Sequence, residues 1–134
     1  MHVKDAMSTS IVVIDKSQTL YEAARLMIER RVGALIILDE TLPGPGILTE
    51  RDVMRAVAEG NDPSSTKVEE VMTFEARTSG LDWDLPKAGQ AMVDGHFRHL
   101  LVVDDAGGVI GMVSMRDIVR AHVEHDRPAL VARA

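Results

Sequence analysis

One pattern occurs twice in the chain, as Gly46-Ile47-Leu48-Thr49-Glu50-Arg51-Asp52 and as Gly111-Met112-Val113-Ser114-Met115-Arg116-Asp117. Each occurrence reads Gly-x-x-Thr/Ser-x-x-Asp, and the second lies 65 positions after the first. The same offset aligns matching residues elsewhere without a gap: Val3 with Val68, Met7 with Met72, Leu20 with Leu85, Met27 with Met92, Leu35 with Leu100, Asp39 with Asp104 and Arg55 with Arg120. Because a chance match would not keep one offset throughout, the chain consists of two copies, about 3–59 and 68–124.

The two copies are predicted to share one order of elements: strand, helix, strand, strand, helix. In the first copy, the β-branched run 11–14 predicts a strand, and Thr19 with Glu22 has the spacing of a helix capping box. The apolar run 34–38 predicts a buried strand, 47–48 a brief one, and Thr49 the cap of a second helix. The corresponding elements of the second copy are predicted near 76–79, 84–95, 99–103, 109–113 and 115–124.

The length of 134 residues suits one domain of ordinary size. The polar, turn-forming stretch 60–67 joins the copies, so we divide the chain into copy 1 (1–62), copy 2 (63–126) and a short C-terminal tail (127–134) that is expected to be loosely held. A single copy of roughly 55–60 residues buries little surface alone. The copies are therefore expected to pack together and share a core.

Composition excludes several classes of function. The formal net charge is −6 and aromatic residues are 3% of the chain, which disfavours binding to a nucleic-acid backbone or stacking of its bases. The absence of cysteine removes disulfides, thiol nucleophiles and thiolate metal sites, and fits a cytoplasmic protein. No apolar run approaches the roughly 20 residues that span a bilayer, and no signal peptide is evident. His122 and His125 lack a third convergent ligand, so no metal site is predicted.

The repeated motif has two readings. A hydroxyl at a strand-to-helix junction and an aspartate one turn later can accept hydrogen bonds from the hydroxyls of a ribose, while the helix N-terminus favours an anion. Ser/Thr-x-x-Asp is also an ordinary capping box, which would merely satisfy the start of the helix. Two occurrences at equivalent positions, each after a glycine in a strand, favour the binding role.

The chain resembles a pair of CBS domains, the module named after cystathionine β-synthase. The resemblance covers roughly 3–124 and rests on the two copy starts, 3–8 and 68–73, on the central strands 31–35 and 97–104, and on the two Gly-x-x-Thr/Ser-x-x-Asp motifs. It implies an α/β (α+β) fold of two β-α-β-β-α repeats related by pseudo-twofold symmetry. Such pairs often associate as dimers, so a homodimer is expected.

The resemblance further implies a binding function for adenosine-containing ligands: AMP, ADP or ATP, with NAD or S-adenosylmethionine as alternatives. In the family, each pocket draws on both copies. One pocket would then use Thr49, Arg51 and Asp52 with Ala76, Arg77, Phe97, Arg98 and His99. The other would use Ser114, Arg116 and Asp117 with Ile11, Val12, Val32, Gly33 and Ala34. Because Gly33 and Ala34 replace Arg98 and His99, the Asp52 pocket is expected to prefer the phosphorylated end of a ligand.

A regulatory binding module is therefore the favoured function. An enzyme is disfavoured, because Asp52 and Asp117 belong to separate pockets and no Ser-His-Asp set is indicated. Two alternatives stay open: a structural dimerisation module with empty pockets, and a regulatory piece that acts on a separate enzyme or transporter.

Overall fold

The computed structural model describes the backbone of residues 1–133 and the side chains of residues 1–125. Six helices and five strands follow one another along this part of the chain. They are α1 (Val3–Ala6), α2 (Leu20–Arg30), β1 (Ala34–Ile37), β2 (Gly46–Thr49), α3 (Glu50–Ala58), α4 (Val68–Val71), β3 (Thr78–Ser79), α5 (Leu85–Gly95), β4 (His99–Val103), β5 (Val109–Ser114) and α6 (Met115–Arg133).

These elements form two compact units that do not coincide with the two sequence copies. The middle unit is Ile11–Ala76, and the terminal unit is Met1–Ser10 together with Arg77–Ala134. The start of copy 1 thus belongs to the unit that holds most of copy 2. The start of copy 2 belongs to the unit that holds most of copy 1.

The middle unit is built on an antiparallel pair, β1 with β2, whose register places Ala34 opposite Thr49 and Ile37 opposite Gly46. Val13 adds a single parallel bridge to Ile36, so the predicted strand 11–14 is reduced to one bridge with two flanking hydrogen bonds. Strand β1 is buried along its whole length, as its continuous apolar sequence predicts. The buried core of this unit contains Ile14, Leu20, Ala23, Met27, Leu35, Ile37, Leu48, Ala56, Val68 and Met72.

The terminal unit contains a three-stranded sheet in the order β3-β4-β5, with β3 parallel and β5 antiparallel to β4. Its buried core contains Val3, Leu85, Ala88, Met92, Leu100, Val102, Val113 and Ile118. Ser79 occupies the position that Ile14 holds in copy 1 and is only 2% exposed. Its hydroxyl has no hydrogen-bond partner among the described residues.

The two exchanged segments are held in the same way in both units. After α1, the main chain of Ser8 pairs with Met112 of β5, and after α4, the main chain of Thr73 pairs with Ile47 of β2. A Cβ on Gly111 would stand 2.7 Å from the Ser8 carbonyl oxygen, which is too close for any side chain. The glycine at the first position of each motif therefore makes room for the neighbouring main chain.

Most predicted elements are confirmed. Thr19 and Glu22 form the predicted capping box of α2, and Thr49 caps α3. The short helices α1 and α4 were not predicted, although each carries an acidic residue, Asp5 or Glu70, at the third helical position. Helix α6 extends past the predicted end at Glu124 to Arg133. The side chains of the predicted C-terminal tail, 127–134, lie outside the described residues.

Candidate functional site

The Thr49 junction, which we define as Gly33, Thr49, Glu50, Arg51 and Asp52, lies where β2 passes into α3. The Thr49 main-chain N–H donates to Oδ2 of Asp52 at 2.8 Å, and the Asp52 N–H donates to the Thr49 hydroxyl oxygen at 3.2 Å. The Asp52 side chain is only 16% exposed, and its Oδ1 lies 3.8 Å from Nη1 of Arg55. The capping box therefore fixes the orientation of a largely buried carboxylate.

The Ser114 junction, defined as Arg98, Ser114, Met115, Arg116 and Asp117, repeats this geometry where β5 passes into α6. The Ser114 N–H donates to Oδ2 of Asp117 at 2.8 Å, and the Asp117 N–H donates to the Ser114 hydroxyl oxygen at 3.0 Å. The Asp117 side chain is 15% exposed, and its Oδ1 lies 3.5 Å from Nη1 of Arg120. The two motifs are thus matched in structure as well as in sequence.

Both readings of the motif fit this arrangement. The capping role is present, since one carboxylate oxygen and the hydroxyl oxygen each accept a main-chain N–H. An ionised carboxylate has about four acceptor positions, so Oδ1 can still accept hydrogen bonds from a diol. Both aspartate side chains are largely buried, as a binding role in such a site requires.

A main-chain hydrogen bond ties the start of each central strand to its junction. The Glu50 N–H donates to the Gly33 carbonyl at 3.0 Å, and the Met115 N–H donates to the Arg98 carbonyl at 2.9 Å. In the middle unit, the Glu50 carboxylate lies against Gly33, with Oε1 at 3.3 Å from the place where a Cβ would stand. Glu50 is thus a member of the junction that was not predicted from the sequence. The sequence does show that Glu50 differs from Met115, the residue at the equivalent position of the second copy.

The Ser114 junction lies beside further positive charge. The Arg77 guanidinium lies over the ring of Phe97 at 5.3 Å from its centroid, and Arg98 follows directly in the chain. Arg77, Arg98 and Arg116 are exposed, and none forms an ion pair with a carboxylate in the part of the chain whose side chains are described. An anionic ligand would therefore find cations that are not already neutralised by a neighbour.

The predicted site residues divide between the two units. The middle unit holds Ile11, Val12, Val32, Gly33, Ala34, Thr49, Arg51, Asp52 and Ala76, and the terminal unit holds Arg77, Phe97, Arg98, His99, Ser114, Arg116 and Asp117.

Main-chain hydrogen bonds inside the units join Gly33 to Glu50 and Arg98 to Met115. Val12 and Val32 pack on the core of the middle unit, and Ala34 and Ala76 are buried. The grouping of residues from both copies into one pocket stays a prediction.

Among the residues described, no three histidine, aspartate or glutamate side chains are grouped so that they could hold a metal ion. Within the same part of the chain, every helix is too short or too polar to cross a bilayer.

Comparison with known proteins agrees with the architecture. Residues 3–59 and 68–124 each match the family described as the CBS domain. The chain is 39% identical over 117 residues to the CBS domain-containing protein CBSX3, mitochondrial, of Arabidopsis thaliana, covering 84% of this chain but only 56% of that protein. It is 35% identical over 117 residues to the CBS domain-containing protein YhcV of Bacillus subtilis, covering 87% of this chain and 81% of that protein.

Among solved structures, the CBS domain pair of protein MJ0100 superimposes with a TM-score of 0.80 and 28% identity, over 91% of this chain and 99% of the other. That structure is a complex with 5′-methylthioadenosine and S-adenosyl-L-methionine.

Proposed function

The chain belongs to the CBS-domain family, and from this we propose that it is a regulatory module that binds adenosine-containing small molecules at its Thr49 and Ser114 junctions. The observation that carries the proposal is the duplicated Thr/Ser–Asp geometry. In each junction, a capping box orients a largely buried aspartate through its Oδ2, and Oδ1 can accept hydrogen bonds from a ligand. Asp52 and Asp117 would each accept from the ribose hydroxyls, and the Thr49 and Ser114 hydroxyls would line the same site.

The ligand class follows from the shared sugar. AMP, ADP and ATP carry a ribose diol, as do NAD and S-adenosylmethionine, and the MJ0100 pair holds two adenosine derivatives in its crystal structure. For the contacts to the base and to phosphate, we propose the residues that were expected from the sequence. Main chain and apolar side chains near Val12, Val32, Ala34 and Ala76 would cover the base, and Arg77, Arg98 and His99 would favour phosphate.

Regulation would arise from differential affinity. A ligand that binds one conformation of the module more tightly shifts the population toward it, and the shift is limited by that difference in affinity. The module would act without catalysis of its own, as a homodimer or on a separate protein.

Exposed apolar side chains at equivalent helical positions support the homodimer: Ile28 is 80% and Val93 59% exposed, and Met54 is 66% and Val119 55% exposed. Light scattering on the purified chain measures the oligomeric state, and a monomer at micromolar concentration would remove this part of the proposal.

Thermal unfolding with AMP, ATP, NAD and S-adenosylmethionine tests the binding function. A ligand at 100 times its Kd stabilises the folded state by about 2.7 kcal/mol, which is easily detected. Asp52→Asn and Asp117→Asn remove the charge while leaving an amide oxygen that can still accept the capping N–H. Each should weaken binding, and the double variant should abolish it. Asp105→Asn, in an exposed turn, is the matched control.

Two results would count against the proposal. If a ligand raises the Tm of the double variant as much as it raises that of the wild type, the aspartates do not hold the ligand. A wild-type chain whose Tm ignores millimolar levels of all four compounds would favour the structural dimerisation module with empty pockets.

A further inference from the structure

Resting on the homodimer part of the proposed function, we infer that helix α2 packs antiparallel against α2 of a second copy of this chain, across a two-fold axis. The contact surface is the α2 face, which we define as the groove lined by Tyr21, Ala24, Arg25, Ile28 and Glu29. Ile28 of each protomer fills the groove of the other over Ala24. Arg25 of each protomer forms an ion pair with the partner's Glu29.

The α2 face is an open groove of about 320 Å³ on a surface helix. Its lining is almost entirely apolar, because Arg25 and Glu29 contribute their aliphatic stems. Ile28 is the most exposed large apolar side chain in the part of the chain whose side chains are described, and Tyr21 is more than half exposed. Covering these side chains removes apolar surface from water, which is the main favourable contribution to protein association.

Helix α3 packs against α2 and adds further exposed apolar surface. Its Met54 and Val57 are each at least half exposed. A stable dimer buries about 800 Å² of each partner, which is more than one groove on a single helix supplies. A second copy is large enough to cover the side chains of α3 as well, whereas a short peptide in the groove would leave them in water.

The order of side chains along α2 suits a contact between two identical helices. In such a contact, residue i meets residue j of the partner, and residue j meets residue i. The small Ala24 and the large Ile28 are four positions apart, and so are Arg25 and Glu29. Residues with this spacing lie on one face of a helix. An antiparallel pair with its two-fold axis at the middle of α2 therefore brings both kinds of contact together at once.

The charged side chains of the α2 face are already placed for this pairing. Nη2 of Arg25 lies 3.6 Å from Oε1 of Glu29 in the same helix, and its guanidinium lies over the Tyr21 ring at 5.9 Å from the centroid. Two such helices bring two arginines and two glutamates together with alternating sign. Exposed ion pairs add little affinity, so these pairs set the orientation of the partner while apolar burial supplies the free energy.

The equivalent face of α5 lacks this charge pattern. Gly89 and Val93 keep the small and large residues, but Gln90 stands where α2 has its arginine and Asp94 where α2 has its glutamate. In a contact between two copies of α5, the two aspartates would meet no arginine. In a contact between α2 and the partner's α5, only one of the two ion pairs would form. Two copies of α2 form both.

Mixing two charge-reversal variants tests the inference. In Arg25→Glu, the new glutamate faces the partner's Glu29, and in Glu29→Arg, the new arginine faces the partner's Arg25. Each variant alone should therefore dimerise about ten-fold more weakly than the wild type, as measured by sedimentation over a concentration series. A one-to-one mixture should regain dimers, because every ion pair across the heterodimer then joins opposite charges. Mixing leaves the repulsion inside each chain unchanged, so recovery reports a contact between α2 helices.

Matched variants control for general effects. Ile28→Ser and Val93→Ser change equivalent exposed positions on α2 and α5, so neither opens a cavity in the core. Ile28→Ser should weaken dimerisation at least ten-fold, and Val93→Ser by no more than about three-fold. Arg30→Glu alters the net charge as Arg25→Glu does, but lies outside the α2 face, and it should change the dimerisation constant by less than about two-fold. Far-UV circular dichroism checks that each variant is folded.

The outcomes separate the inference from the function beneath it. If the mixture dimerises no better than its components, or if Val93→Ser weakens the dimer more than Ile28→Ser does, the inference is wrong while dimerisation stands. If the wild-type chain is a monomer at micromolar concentration, the homodimer part of the proposed function is overturned together with the inference. Ligand binding at the two junctions is measured separately and is not affected by either result.

Discussion

Gly111 is the position where a single methyl group should cost the most stability. In Gly111→Ala, the new Cβ would stand 2.7 Å from the Ser8 carbonyl oxygen and 3.0 Å from Sδ of Met7. The Ser8 main chain cannot withdraw freely, because it exchanges hydrogen bonds of 2.8 and 2.9 Å with Met112. Overpacking of this kind costs about 1–3 kcal/mol, against which the loss of glycine freedom in the unfolded chain returns about 0.4–1 kcal/mol. Because the 2.7 Å contact is with main chain, the cost lies at the upper end of its range, and we expect a net loss of about 2 kcal/mol in the free energy of unfolding.

Two other glycines make this a graded test by urea denaturation. At Gly46, the equivalent residue, the added Cβ would meet the Thr73 carbonyl at 3.1 Å, so Gly46→Ala should lose less, about 1 kcal/mol. At Gly44 the nearest atom is a flexible Cγ of Glu75 at 3.6 Å, so Gly44→Ala should be neutral or gain a few tenths of a kcal/mol. Equal stability of all three variants would refute the reasoning that close main-chain contact requires glycine at 111.

Three further predictions concern single side chains. Ser79→Ala should raise the free energy of unfolding by about 1 kcal/mol, because it removes a buried hydroxyl without a partner among the described residues, and a loss of stability in urea would contradict this. Ser114→Ala should cost about 1 kcal/mol by removing the cap of α6, and Thr49→Ala should cost a similar amount for α3, both read from urea midpoints at constant m value. Hydrogen bonds from the Gln18 side chain and from Thr19 hold the pKa of Glu22 below its usual value in the folded state. These bonds therefore stabilise the folded state at pH values above the pKa that Glu22 has in the unfolded chain, and this stabilisation is lost as the pH falls through the pKa of the folded state. Glu22→Gln should therefore lose less stability than the wild type between neutral pH and about pH 3, and an unchanged acid dependence would show that this carboxylate is not involved.

The elements that depend on local sequence signals form as predicted. The capping boxes at Thr19 and Thr49 depend on residues three positions apart, and both are present as expected. The continuous apolar runs at 34–38 and 99–103 likewise predicted β1 and β4, because a strand buried on both faces has no polar alternation.

Features that depend on tertiary contact could not be predicted in the same way. The run 11–14 has the composition of a strand but forms a single bridge, from Val13 to Ile36. The contact of Glu50 with Gly33 depends on the close approach of two segments 17 positions apart, which no spacing rule reveals. The repeat also could not show that residues 1–10 pack with 77–134. The constant offset shows which residues of the two copies are equivalent, but it does not show which copy a segment packs against.

The exchange of the two opening segments has a consequence for how such a chain could be shortened or could have arisen. In this structure the segment that pairs with the second hairpin strand of each unit comes from the other copy, so a polypeptide with one copy would lose that partner unless another molecule supplied it. Linking the copies turns that bimolecular encounter into an intramolecular one, with an effective concentration set by the eight-residue joint at 60–67. Cutting the gene at this joint should therefore yield two fragments that complement each other in a mixture and fold poorly apart.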